Sequence, residues 1–155
     1  MKRLTNEQID KALQAAPFPE EFGDVSYALP LIKALGWHTP PNDSCWKDLA
    51  RLYGQRNMER VIERATTGDP AWAAYFMALS YGSEREWAES VIERATIGDP
   101  AWAAYCMAWD CGSEREWAEK VIERATIGDP ARAAYCMARV CGSDREWARR
   151  IETRR

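Results

Sequence analysis

The chain is predicted to be all-α: a short α-solenoid of antiparallel helix pairs with a small helical cap at its N-terminal end. Three observations predict it. A thirty-residue block, residues 69–98, reads DPAWAAYFMALSYGSEREWAESVIERATIG and starts again at Asp99 and at Asp129. Its Gly, Pro and capping residues recur at the same places in each copy, and its apolar residues fall at helical spacing in stripes that only a neighbouring copy could cover. Residues 61–90 and 91–120 differ at six of thirty positions, and 91–120 and 121–150 also at six.

The first forty residues lie outside this period. Thr5 with Gln8 three positions on makes a capping box, and Ile9, Ala12, Leu13 and Ala16 share one face; together they predict a first helix of about ten residues, ended by Pro17 and Pro19. A loop through Glu20, Glu21, Phe22 and Gly23 leads to a second helical stretch near 26–35, begun or interrupted by Pro30 and closed by Gly36. Trp37, His38, Thr39, Pro40 and Pro41 read as a linker. Residues 1–42 are thus expected to be a helical N-terminal cap or a separate module, and 43–155 the solenoid.

Within the solenoid, a degenerate repeat at 43–68 precedes repeats at 69–98 and 99–128 and a truncated one at 129–155. In the degenerate copy Leu49, Ala50, Tyr53 and Gly54 align with Met77, Ala78, Tyr81 and Gly82 if the following helix is two residues shorter. In a regular copy Asp69 is an N-cap, Pro70 sits at the first helical position where its missing N–H costs nothing, and Gly82 ends the helix in the left-handed conformation. Ser83 with Glu86 makes a second capping box, opening a helix that is expected to run to about residue 97 and stop at Gly98.

Side-chain spacing assigns the faces. Ala71, Ala74, Tyr75 and Ala78 form a narrow small-residue stripe that permits close helix approach, and Trp87, Ala88, Val91, Ile92 and Ala95 form the apolar face of the second helix. Stacking of such units predicts a right-handed superhelix. Tyr75, Tyr105 and Tyr135, with Trp87, Trp117 and Trp147, recur once per unit and read as core. Other positions vary: Trp72, Phe76 and Leu79 become Trp102, Cys106 and Trp109, then Arg132, Cys136 and Arg139. The last copy is polar where the others are greasy, as a terminal unit must be for solubility, or as a contact surface would be.

Composition bounds the function. The net charge is −3 and the pI about 5.3, which argues against a general nucleic-acid coat, although residues 61–120 are net acidic and 121–155 net basic. No apolar run spans a bilayer and no signal-peptide core opens the chain, so a cytoplasmic protein with no membrane association is expected. Cys45, Cys106, Cys111, Cys136 and Cys141 read as small buried hydrophobes in a reducing compartment.

No catalytic residues, metal ligands or cofactors are assigned. The single histidine, His38, lies in the proline-rich linker, each repeat glycine is explained by helix termination, and no nucleophile with its base is visible. Glu84, Glu86, Glu89 and Glu93 recur as Glu114, Glu116, Glu119 and Glu123, which is either a solvated face or a row of carboxylates mimicking phosphates on a target protein. Arg132, Arg139, Arg145, Arg149, Arg150, Arg154 and Arg155 gather in the last helix pair, where paired donors suit phosphate or carboxylate.

The Gly-Asp-Pro, Ala-Ala-Tyr and Ser-x-x-Glu-Trp pattern resembles the short two-helix repeats of the HEAT-like and armadillo-like class over about residues 43–155, and near-identical Gly-Asp-Pro repeats resemble those of small phage and bacterial proteins. The resemblance implies a non-enzymatic protein-binding module, such as a phage-encoded inhibitor of a host defence complex of the anti-CRISPR kind, acting in the host cytoplasm. On this reading Trp72, Trp102, Trp109, Glu89 and Glu119 meet another protein or protein complex. The alternative is a helical repeat that binds nucleic acid, or an acidic partner, through Arg132, Arg139, Arg145, Arg149, Arg150 and Arg154.

Overall fold

The computed structural model describes residues 3–22, 25–37 and 53–154. Helices α1 (Asn6–Ala15) and α2 (Val25–Ala34) precede α3 (Gln55–Arg64). Three pairs follow: α4 (Pro70–Ser80) with α5 (Arg85–Arg94), α6 (Pro100–Asp110) with α7 (Arg115–Arg124), and α8 (Pro130–Val140) with α9 (Arg145–Thr153). There is no strand among the described residues. The degenerate helix expected before Gly54, with Leu49, Ala50 and Cys45, and the linker residue His38 lie outside the described residues, as does Arg155.

The first helices α4, α6 and α8 pack directly on one another, and each second helix packs on the first helix of its own unit and on that of the next. Small side chains make the first layer close. Ala71, Ala73, Ala74 and Met77 are fully buried, and so are Ala101, Ala103, Ala104 and Met107 one unit later and Ala133, Ala134 and Met137 in the last. Ala71, Ala74 and Tyr75 of the expected stripe are thus buried, with Ala73 and Met77 added to it, while Ala78 is half-buried. In the second layer Ala88, Val91 and Ile92 are buried as the spacing predicts.

Local punctuation behaves as read at the first helix of each unit and differs at the second. Asp69 accepts from the Trp72 amide at 3.0 Å, with Pro70 at the first position. At the other end Gly82 sits at φ +80°, which lets both the Tyr81 and Ser83 amides return to the Met77 carbonyl at 3.1 Å. The expected Ser83–Glu86 capping box is not formed. The N-cap is Glu84, and the Ser83 hydroxyl instead donates to the Glu59 carboxylate of the preceding unit at 2.7 Å. A buried hydroxyl facing an ionised acceptor gains a charge-assisted bond, stronger than a bond to its own helix. In the last unit Asp144 takes over capping, accepting from the Glu146 and Trp147 amides at 2.8 and 3.1 Å.

Helix α5 is also shorter than its sequence suggests. It has ten residues, not the expected fourteen, because Ala95 is extended at ψ 130° and its amide tightens the last turn onto Ile92. Residues 95–98 instead cross to the next first helix. Helix α3 has the same ten residues as α5, so the two-residue deficit in the degenerate copy lies in the turn after Gly54 and not in the helix.

Helix α1 opens with the predicted capping box: Gln8 N–H reaches Thr5 Oγ1 at 3.1 Å, and Thr5 N–H reaches Gln8 Oε1 at 2.8 Å. It lies on α3, where Arg64 makes a two-point pair with Asp10 at 2.7 and 2.6 Å, Arg60 holds the Leu4 carbonyl and Asn6, and the Leu4 amide donates to Asn57 at 3.0 Å. The backbone carbonyls of Phe18 and Pro19 stand beside Gly68 in the place that Asp69 takes beside Gly98. Phe18 and Pro19 thereby stand at Gly68 where a regular unit has its own opening Asp.

Candidate interaction surfaces

Neighbouring units are joined by a set of bonds repeated at constant offset. Ser83, Ser113 and Ser143 donate to Glu59, Glu89 and Glu119 at 2.7 to 2.8 Å, each acceptor 24 residues earlier. The indoles of Trp87, Trp117 and Trp147 donate to Glu63, Glu93 and Glu123 at 2.5 to 2.7 Å across the same offset. Arg85 and Arg115 reach forward to the Gly112 and Gly142 carbonyls at 3.0 and 3.1 Å. In the first layer the Tyr75 hydroxyl donates to Asp110 at 2.5 Å. Burial, aided by that carboxylate, holds the Tyr75 phenol protonated well above its ordinary range.

These joints decide where the sequence-predicted residues stand. Glu89 and Glu119 are mostly covered, each holding the serine of the next unit and lying 3.6 and 3.4 Å from Arg85 and Arg115. Half of the carboxylate row, Glu89, Glu93, Glu119 and Glu123, is therefore made of inter-unit acceptors, and Glu84, Glu86, Glu114 and Glu116 are exposed. Trp72 is half-buried, packed against Tyr75 and edge-on to Phe76 at 4.9 and 5.0 Å. Trp102 lies under the Arg132 guanidinium, 3.8 Å from the ring centroid. Trp109 alone of the three is open, 57% exposed, and Leu79, which holds the same repeat position in the preceding unit, is 43% exposed.

The arginines divide likewise. Arg132 is spent on Trp102, and Arg154 donates to the Glu123 and Ala125 carbonyls at the end of α7, at 2.5 and 3.1 Å. Arg139 donates to the Tyr135 hydroxyl at 3.2 Å. Arg145, Arg149 and Arg150 are exposed and make no ion pair among the described residues. The aromatic ladders read as core are only partly so. Tyr75 is 5% exposed and Tyr135 is 51% exposed, since no following unit among the described residues packs over it, while Trp87 and Trp117 are half-buried hydrogen-bond donors.

Little in the fold offers covalent or metal chemistry. Among the described residues no group of three or more His, Cys, Asp or Glu side chains is placed to hold a metal ion. Cys106 is buried, and burial together with Asp110 pushes its thiol up to about 12. Cys106 is therefore expected to resist a disulfide reagent at pH 8 in the folded protein and to react at once in urea; rapid native labelling, mapped by mass spectrometry, would contradict the placement. No helix is long and apolar enough to cross a membrane among the described residues. Open grooves of about 260 and 190 Å³ lie between successive second helices, lined by Trp117, Val121 and Pro100 in one and by Val91, Ile62 and Pro70 in the other.

The inter-unit joints were the functional residues that spacing within a helix could not show. Their signal was present at a longer offset: each Ser at the head of a second helix has a Glu 24 residues before it. Compared with protein-family models, curated proteins and solved structures, the chain has no match.

Proposed function

We propose that the chain is a non-enzymatic protein-binding module. One observation carries this reading. The Ser, Trp and Glu that join one second helix to the next are repeated unchanged wherever a following unit is described, whereas the outward position of the first layer changes in every regular unit, from Leu79 to Trp109 to Arg139, and leaves Leu79 and Trp109 in solvent. Exposed tryptophan is costly to keep and is the side chain most enriched among energetic hot spots of protein interfaces.

The test is affinity capture with tagged wild-type and Trp109→Ala proteins, with and without nuclease. A stoichiometric protein retained after nuclease, and reduced more than tenfold by Trp109→Ala with the circular dichroism spectrum unchanged, is the expected result. Retention that vanishes with nuclease would replace this reading by nucleic-acid binding. The narrower reading supplied by the resemblance, a phage-encoded inhibitor of a host defence complex, requires the retained protein to be a subunit of such a complex.

A further inference from the structure

The last unit ends in an open groove of about 440 Å³ between α8 and α9, lined by Tyr135, Arg139, Arg145, Arg149 and Glu152 with two alanines at its floor. Its place in the repeat is informative. Of the equivalent residues one unit earlier, Arg115 and Glu119 bond the Gly142 carbonyl and the Ser143 hydroxyl just past the following unit's first helix. That helix itself packs on α6 and α7, so this groove has the place of a seat for one more helix.

Its chemistry has been changed from that of the internal seats. The glutamates that receive a following unit's serine and tryptophan, Glu119 and Glu123 in the preceding copy, are Arg149 and Thr153 here, and the fully buried Ile122 is replaced by Glu152. A further unit of this chain's own kind would find neither acceptor, which disfavours end-to-end stacking of two copies. Three arginines, Arg139, Arg145 and Arg149, line the groove against one carboxylate, Glu152, and none of the three is in an ion pair among the described residues.

Tyr135 supplies the second half of the argument. In one internal joint the Tyr75 hydroxyl donates to Asp110, a carboxylate on the incoming helix, whereas Val140 stands at the matching position for Tyr105. The Tyr135 hydroxyl oxygen accepts from Arg139, which leaves its own proton for an acceptor. We infer that this groove seats an acidic helix of a partner protein, which takes the place of a fifth unit's first helix and sets a carboxylate against Tyr135, Arg139 and Arg149. The inference rests on the protein-binding reading and names the chemistry of the partner at this end.

The probe is a fluorescein-labelled, alanine-based helical peptide of about fifteen residues, long enough to hold a helix, bearing glutamates along one face, titrated by anisotropy against the full chain. Its glutamine and lysine versions and a single-stranded DNA oligonucleotide serve as comparisons. Arg149→Glu is a safe variant, because Glu89 and Glu119 occupy the same place in the other units, and Tyr135→Phe removes only the hydroxyl.

The glutamate peptide is expected to bind at least tenfold more tightly than the glutamine peptide or the oligonucleotide, and to lose at least tenfold with Arg149→Glu and a few-fold with Tyr135→Phe. Equal binding of the glutamate and glutamine peptides, indifference to Arg149→Glu, or tighter binding of the oligonucleotide would overturn the inference, as would a dimer in sedimentation that Arg149→Glu abolishes. A nuclease-resistant partner that depends on Trp109, found together with any of those results, would sink this inference and leave the protein-binding reading standing. Absence of such a partner would remove that reading as well.

Discussion

Gly98→Ala is expected to lower the unfolding free energy by about 3 kcal/mol, and Gly112→Ala by about 1 kcal/mol, although both glycines carry the same backbone conformation. Their φ values are +76° and +75°, so the conformational penalty is shared. The surroundings differ. A Cβ on Gly98 would stand 2.3 Å from Asp69 Oδ1 and 3.0 Å from Asp69 Cα, whereas one on Gly112 would meet nothing nearer than Arg85 Nη1 at 3.8 Å. Asp69 cannot yield cheaply, because it caps α4 through the Trp72 amide and also accepts from the Asp99 amide of the next unit at 3.2 Å. Moving it would break two bonds at once. Urea denaturation of the two variants measures the difference; equal losses would mean that the close approach at residue 98 is absent in solution.

Met107→Ala is expected to cost about 3 kcal/mol, while Trp109→Ala, which deletes a larger side chain two residues away, costs about 0.5 kcal/mol or less. Met107 is completely buried at the centre of the first-helix layer, between the alanines of α6 and the neighbouring units, and truncating it leaves a cavity that packed helices on either side cannot close. Trp109 already stands in solvent over more than half of its surface. Since each unit of a solenoid touches only its neighbours, a defect at this central position also weakens the coupling between the two ends. A lowered slope of the urea transition for Met107→Ala would report that loss of cooperativity. Comparable losses for the two variants would contradict the assignment of one to the core and the other to the contact surface.

These two contrasts mark how much could be read in advance. Helix existence and order were legible because Asp-Pro, Gly and Thr-x-x-Gln act on the backbone within four or five residues, and the capping box at Thr5 and the left-handed Gly82 stand where those rules place them. The second capping box failed for a reason that no local rule contains. Ser83 had a carboxylate partner, Glu59, on another helix. The same applies to the candidate contact residues. Trp72, Trp102 and Trp109 are alike in sequence, and only the packing of Phe76 and the placing of Arg132 separate the two covered indoles from the open one.

By itself, then, the sequence determined the number of regular units, their helical pairs and the small-residue stripe that lets the first helices approach, since all three depend on short-range sterics and on a period printed in the chain. Only the tertiary structure decided which side chains are consumed in holding units together and which remain exposed. Glu89 and Glu119 went to the first set, and Arg145, Arg149 and Trp109 to the second. The physical reason is that a hydrogen bond between residues 24 apart forms or fails according to how two helices are spaced and rotated, which neither partner's immediate neighbours fix.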